Sequence, residues 1–328
     1  MSEERDERRT VLVAAFEGWN DAGQAATNVV RHLVERYDAR EIRHIACDGY
    51  YDYQVTRPML CRVTGRPRLV WPQTTFYEIA VSPTHVIYAQ IAPEPNYRWR
   101  EYCRQSLRIA DELDVDHVVT LGSMFANCPH TRPLTVDVAY DLDSGRRGCD
   151  ASADDALQDP SSASRSPEEG MGAPQTPTSA DEDECDAWFD SALRQDESEG
   201  YSGPVGIPTV LDDMAREQSF ETTSMWGYVP HYLGSDDCPK ATLAMLRSLG
   251  HELGVAFDEG DLPQQVERWE RRITELMAHG PLDEYVERLE ERWDAADEAR
   301  RLDEAAASAK GAQAEQLVRE AEDFLKNL

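Results

Sequence analysis

Lysine is nearly missing from this chain: Lys240, Lys310 and Lys326 are the only lysines among 33 basic residues in 328. An enzyme that gathers several lysines round a nucleotide phosphate has few to draw on. No GxGxxG opens a helix after a strand and no GK[ST] occurs, which sets aside the ordinary dinucleotide and P-loop sites. The seven cysteines include no CxxC pair, so a structural zinc is not expected, and an odd number without an export signal reads as reduced thiols. No apolar run approaches the roughly 18 residues of a membrane span. The first residues, Met1–Arg9, are charged and lack the apolar stretch of a signal peptide. The expected location is therefore the cytoplasm.

Acid is what the chain has in excess. Asp and Glu number 63 against 33 Lys and Arg, a net charge of −30. Such a field repels phosphate backbones and anionic headgroups, so neither nucleic acid nor membrane is an expected partner. The acidity is uneven. Asp143–Gly200 holds 16 acidic and 4 basic residues among Pro, Ser and Gly, too little apolar surface to offset chain entropy, and reads as a disordered insert. Within it Cys185–Leu193 reads as a turn or a short docking helix.

The rest alternates strand and helix. Thr10–Phe16 is a short apolar run, followed by Glu17-Gly18 and then Ala22, Ala25, Ala26, Val29, Val30 and Leu33 at helical spacing. Strand-like segments are Ile42–Cys47, Met59–Val63, Arg68–Trp71, Phe76–Val81 and His85–Ile91. A helix is expected over Tyr97–Leu113, a buried strand over Val115–Leu121 ending at Gly122-Ser123, and a β segment over Leu134–Tyr140. Thr209–Arg216 reads as helix, Thr222–Val229 as strand and Lys240–Leu253 as helix. This pattern predicts an α/β domain over residues 1–257, a mostly parallel mixed sheet flanked by helices. Residues 258–328 carry 20 acidic and 10 basic residues and read as a helical appendage, with segments at Leu262–His279, Leu282–Ala296 and Ala312–Leu325. Val266, Trp269, Ile273, Leu276 and Met277 form the expected apolar stripe of the first.

Three motifs carry candidate chemistry. In the strand-to-helix turn Phe16–Gly23, Gly18 suits a left-handed backbone, Asn20 or Asp21 suits a helix cap, and the free N–H groups suit an anion. A structural turn and a ligand loop both fit. The second motif runs from Gly122-Ser123 through Cys128-Pro129-His130-Thr131-Arg132-Pro133. Carboxyl ends of parallel strands are where open α/β sheets bind ligands, so His130 and Arg132 are placed for an anion or for acid–base work. The flanking prolines equally suit a rigid partner loop, and Ser123 lacks the GxSxG elbow of a hydrolase. The third joins Val229-Pro230-His231-Tyr232 with Pro239-Lys240. His130, His231, Lys240 and Asp21 are candidates to share one ligand site, or to fix loops by hydrogen bonding. No metal site, cofactor or catalytic residue is expected.

Taken together and in order, FEGWNDAG, GSMFANCPHTRP, YSGPVGIPTVL, VPHY and PKATLAML resemble the proteasome assembly chaperone family, in its longer bacterial branch, over Thr10–Tyr140 and Tyr201–Val255. The resemblance implies a nucleoside-phosphorylase-like α/β sandwich, self-association as a trimer, and binding to proteasome core-particle subunits without catalysis. Archaeal and eukaryotic relatives dock by a tail with a penultimate Tyr; this chain ends Phe324-Leu325-Lys326-Asn327-Leu328, which shifts the expected contact to the helical appendage or the loops. The acidic insert interrupts the matched frame. The alternative is an enzyme or sensor binding a phosphate or nucleoside-like ligand near Gly18, Gly122, His130 and Arg132. An ATP-grasp-like ligase fits less well, because Lys240 is the only lysine in the matched region.

Overall fold

The computed structural model describes residues 9–62, 65–82, 85–140, 203–234, 236–277, 282–299 and 301–302. The expectations for Asp143–Gly200, Cys185–Leu193 and Ala312–Leu325 lie outside the described residues. By its contacts the chain divides into a unit of Met1–Val138 with Val205–Leu328 and a unit of Ala139–Pro204. The architecture is that of the first.

Its centre is β1 (Arg9–Glu17), whose side chains alternate between two cores. Val11, Val13 and Ala15 face a layer made by α1 (Ala25–Arg36), α4 (Pro239–Leu253) and α5 (Leu262–Met277). Leu12, Ala14 and Phe16 face the opposite layer, α2 (Trp99–Glu112) and α3 (Ile207–Glu217). A strand apolar on both faces must be covered on both, so β1 dictates the three layers. Burying each Leu, Val or Phe there contributes about 1.5–3 kcal/mol.

Around β1 run β2 (Arg40–Ile45), β5 (Thr74–Ala80), β6 (His85–Pro93), β7 (His117–Ala126), β8 (Val136–Ala139) and β9 (Glu221–Pro230), in the order β2-β5-β6-β1-β7-β9-β8. The pairs β6–β1, β1–β7 and β7–β9 are parallel; β2–β5 and β5–β6 are antiparallel. This is the mixed, mostly parallel α/β sheet the alternation predicts. A further helix, α6, occupies 282–299, with Val286 and Leu289 buried.

Three expectations are corrected. Strand β7 does not stop at Gly122-Ser123 but continues to Ala126, because β9 runs beside it with Gly122 opposite Trp226 and Ser123 opposite Gly227. The Trp226 ring fills the space where a side chain at 122 would stand, so the glycine here continues a strand rather than ending it. Second, β3 (Met59–Cys61) and β4 (Arg68–Val70) lie outside the main sheet and pair only with each other. Third, Leu276 is 74% exposed although it shares the spacing of Trp269 and Ile273, which are buried, while Met277 beside it packs partly buried against the core.

Candidate functional site

Neighbouring parallel strands β1 and β6 send their chains to opposite faces, β1 into α1 and β6 into α2. Their carboxyl ends therefore form the switch-point crevice where such sheets hold ligands. At its rim Gly18, at φ 126°, turns the chain out of β1, and the Asp21 N–H donates to the Gly18 carbonyl at 3.2 Å. The Asp21 carboxylate accepts the Ala26 and Thr27 N–H groups at 3.0 and 3.1 Å and the Thr27 hydroxyl. Burial raises its pKa, opposed by the Thr27 bonds and by Arg31. Asp21 is thus the cap of α1, and the N–H groups an anion would seek are taken.

Asn20 is buried beside it. Its Nδ2 donates to Glu94 Oε1 at 2.8 Å, and the same oxygen accepts the Ile207 N–H at 3.0 Å, at the start of α3. Asn20 Oδ1 has no hydrogen-bond partner among the described residues. A Cβ at Gly206 would fall 2.0 Å from that oxygen, so only glycine admits this approach. The Ser123 N–H donates to the Asn20 carbonyl at 2.8 Å and its hydroxyl to the Ala22 carbonyl at 2.9 Å. The crevice is therefore bridged by Asn20 and Glu94, which tie the start of α3 to two strand ends. Sequence reasoning missed Glu94; its signal was a carboxylate between Pro93 and Pro95 at a strand end.

The other candidates meet at the ends of β7 and β9. Lys240 Nζ donates to the His130 carbonyl and to Glu270 Oε1, both at 2.6 Å. Tyr232 Oη accepts the His130 N–H at 2.8 Å and lies 2.9 Å from His130 Nδ1. Burial, then the Lys240 charge, holds His130 below the usual imidazole pKa. Arg132 is bidentate on Asp294, Nε to Oδ1 at 2.8 Å and Nη2 to Oδ2 at 2.9 Å, with Glu290 at 3.5 Å. His231 Nδ1 lies 3.4 Å from the Ala126 carbonyl, and its ring meets Tyr232 and Tyr285 edge to face at 5.7 Å. Tyr285 donates to Asn127 Oδ1 at 3.2 Å, and Trp269 stands against His130 at 6.4 Å.

His130, Arg132, His231 and Lys240 do converge, and what they hold is α5 and α6. Their partners, Glu270, Tyr285, Glu290 and Asp294, belong to the helices read from the sequence as a charged appendage; the aromatic residues amid that charge were the available signal. Two thiols nearby are poor nucleophiles, since burial pushes Cys128 up to about 12 and Cys238 to about 11. Between α1 and α5 lies an open cleft of about 1030 Å³ lined by both signs of charge, including Arg31, Arg268, Asp237 and Asp261. Among the described residues no cluster of three His, Cys, Asp or Glu could hold a metal ion, and no helix is long and apolar enough to cross a membrane. Beside the buried Asn20 and Asp21, Trp19 is exposed, as are Met124, Phe125 and Val205.

The model of the PAC2 family matches residues 15–277. A Mycobacterium tuberculosis structure described as a proteasome-assembly chaperone homologue is 36% identical, covering 84% of this chain and 99% of that one, at a TM-score of 0.63. A PAC2 family protein from Streptomyces avermitilis is 30% identical over 84% of this chain and 99% of its own, at 0.62. A Pyrococcus furiosus archaeal proteasome activator, 13% identical, shares the fold at 0.53. No curated protein matches.

Proposed function

The chain belongs to the PAC2 family, and from that membership we propose that it is a non-enzymatic, self-associating, chaperone-like protein that contacts proteasome core-particle subunits. The observation that carries the reading is the 36% identity to a proteasome-assembly chaperone homologue along 99% of that relative's length. The strand ends agree with it. The side chains best suited to chemistry there, Asp21, His130, Arg132 and Lys240, serve as a helix cap or as ties to the C-terminal helices.

The test is a tagged pull-down from the host's own lysate at near-native salt, with mass spectrometry of the eluate and light scattering on the bait. Enrichment of proteasome α or β subunits and a defined oligomer are expected. A clean bait with no subunit removes the main support. The competing reading, a phosphate- or nucleoside-like ligand at the strand ends, predicts a melting temperature that rises with ligand and no longer rises in Arg132→Ala. The bidentate Arg132–Asp294 pair weighs against it, because an anion would have to displace a carboxylate already in place.

A further inference from the structure

The segment Tyr53–Tyr77 differs in charge from the rest of the chain. It contains Arg57, Arg62, Arg66 and Arg68 and no Asp or Glu, a charge of +4 that leaves −34 elsewhere to make the total of −30. All four arginines are exposed. None has an ion-pair partner among the described residues, whereas Arg31, Arg36, Arg40, Arg132 and Arg247 each hold a carboxylate. Other arginines, Arg43, Arg98, Arg100, Arg268, Arg271 and Arg288, also hold no ion pair among the described residues, but each has an Asp or Glu within four residues of it in the chain, whereas these four stand in a stretch with none.

The same segment contains the β3–β4 ribbon, where Leu60 faces Leu69 and Met59 faces Val70. Side chains alternate along a strand, so the leucine pair lies on one face and the Met–Val pair on the other. Both faces are open: Leu60 and Leu69 are each 55% exposed, Met59 65% and Val70 44%. A lone two-stranded ribbon with neither face covered is marginal in water. Trp71, itself 46% exposed, anchors it edge to face on Tyr53 at 5.0 Å. Pro58, Pro67 and Pro72 bracket both strands, which limits extension of the ladder and leaves side chains as the available binding groups.

We propose that this ribbon is a docking surface for a separate polypeptide that presents an apolar stripe bordered by Asp and Glu. A Trp and aliphatic centre within a rim of Arg is the composition from which strong protein contacts are built. Guanidinium groups pair with carboxylates in two-pronged fashion, and each unmatched arginine has that geometry to offer. A phosphate polymer or an anionic bilayer would match the +4 patch but then meet the −34 of the remaining chain. A compact acidic protein surface satisfies the charge and covers the apolar residues together. The inference rests on the chain being a binder of polypeptides, not on which client it binds.

The test uses the full chain and two labelled synthetic amphipathic peptides with identical apolar positions, one with Glu and Asp on its polar face and one with Lys, read by fluorescence anisotropy. The acidic peptide is expected to bind at least about tenfold more tightly, a difference of about 1.4 kcal/mol, and to weaken with added salt. The combined Arg57→Gln, Arg62→Gln, Arg66→Gln, Arg68→Gln variant and the Leu60→Ser, Leu69→Ser variant should each lose that affinity at unchanged melting temperature. Equal binding by wild type and both variants overturns the proposal. So does arginine-dependent binding to phosphatidylserine vesicles or single-stranded RNA with no peptide uptake. Conversion of an oligomeric wild type to monomer in either variant also overturns it, by assigning the ribbon to a second copy. A wild type that captures proteasome subunits but ignores the peptides sinks the ribbon and leaves the chaperone reading standing; peptide binding through the ribbon without such capture does the reverse.

Discussion

At the ends of β7 and β9, Arg132 and Lys240 each meet a carboxylate, while in the segment of the β3–β4 ribbon four arginines meet none among the described residues. Both regions combine aromatic rings with cations, and both belong to a strongly acidic chain. The difference lies in what covers them. At the strand ends α5 and α6 bring Trp269, Tyr285 and their carboxylates down onto the motif loops, so that charge and apolar surface are satisfied together. No described element covers the ribbon in this way. Matched groups hold a fold; unmatched, exposed ones are free for an intermolecular contact.

The contrast can be broken most directly at Trp269. Truncation to Ala should cost about 3–5 kcal/mol in urea unfolding, as for other buried aromatic residues, and should open α5 and α6 to limited proteolysis. A cost below about 1 kcal/mol, the level of a surface change, would mean that the C-terminal helices are not integral. Next comes Asp21. Asp21→Ala strands the Ala26 and Thr27 N–H groups and should cost about 1–3 kcal/mol, whereas Asp21→Asn keeps an acceptor and should cost much less. Equal losses in the two variants would show that the carboxylate's charge, rather than its capping geometry, stabilises the turn.

The pH dependence sharpens the same comparison. Burial and Lys240 hold His130 below its ordinary 6.5. For a base with a lowered folded pKa, stability is complete above the unfolded value and is lost as pH falls from there through the folded value. The melting temperature should therefore drop as pH is lowered through 6.5 and beyond. Burial lowers His117 in the same direction, so His130→Gln should remove part of the slope and His130→Gln with His117→Asn most of it. Loss of the Arg132–Asp294 pair belongs to a separate window below 3.8, because Arg132 depresses Asp294. An unchanged slope in the double variant would refute the assignment. The smallest effect is expected on the ribbon, where Arg68→Gln and Leu60→Ser should each change unfolding free energy by no more than about 0.5 kcal/mol. A larger loss would make the ribbon part of the fold rather than a surface.

Much of the architecture was legible in advance because the apolar periodicity is strong. The run TVLVAAF predicted β1, and the helical spacing of Ala25, Ala26, Val29, Val30 and Leu33 predicted the buried face of α1. Of the residues grouped in the sequence as one site, His130, His231 and Lys240 meet, while Asp21 caps α1 apart from them. Their partners were not legible: Glu270, Glu290 and Asp294 look like any other acidic residues on a charged helix, and only contacts across 30 residues to Lys240, or more than a hundred to Arg132, distinguish them. The ribbon misled for the opposite reason, since β-rich apolar segments resemble core strands whatever they pair with.

The sequence by itself determined the periodicities, hence the strands, the helices and the need to cover β1 on both faces, because these depend on neighbours a few residues apart. It also determined the acidic balance and the basic island at Tyr53–Tyr77. Only the tertiary structure decided which charges neutralise each other, that Asn20 and Glu94 bridge the crevice, and that the ribbon stays outside the sheet. Those outcomes depend on distances between residues remote in the chain, and hydrogen bonds and ion pairs act over a few ångströms of space, whatever the separation in sequence.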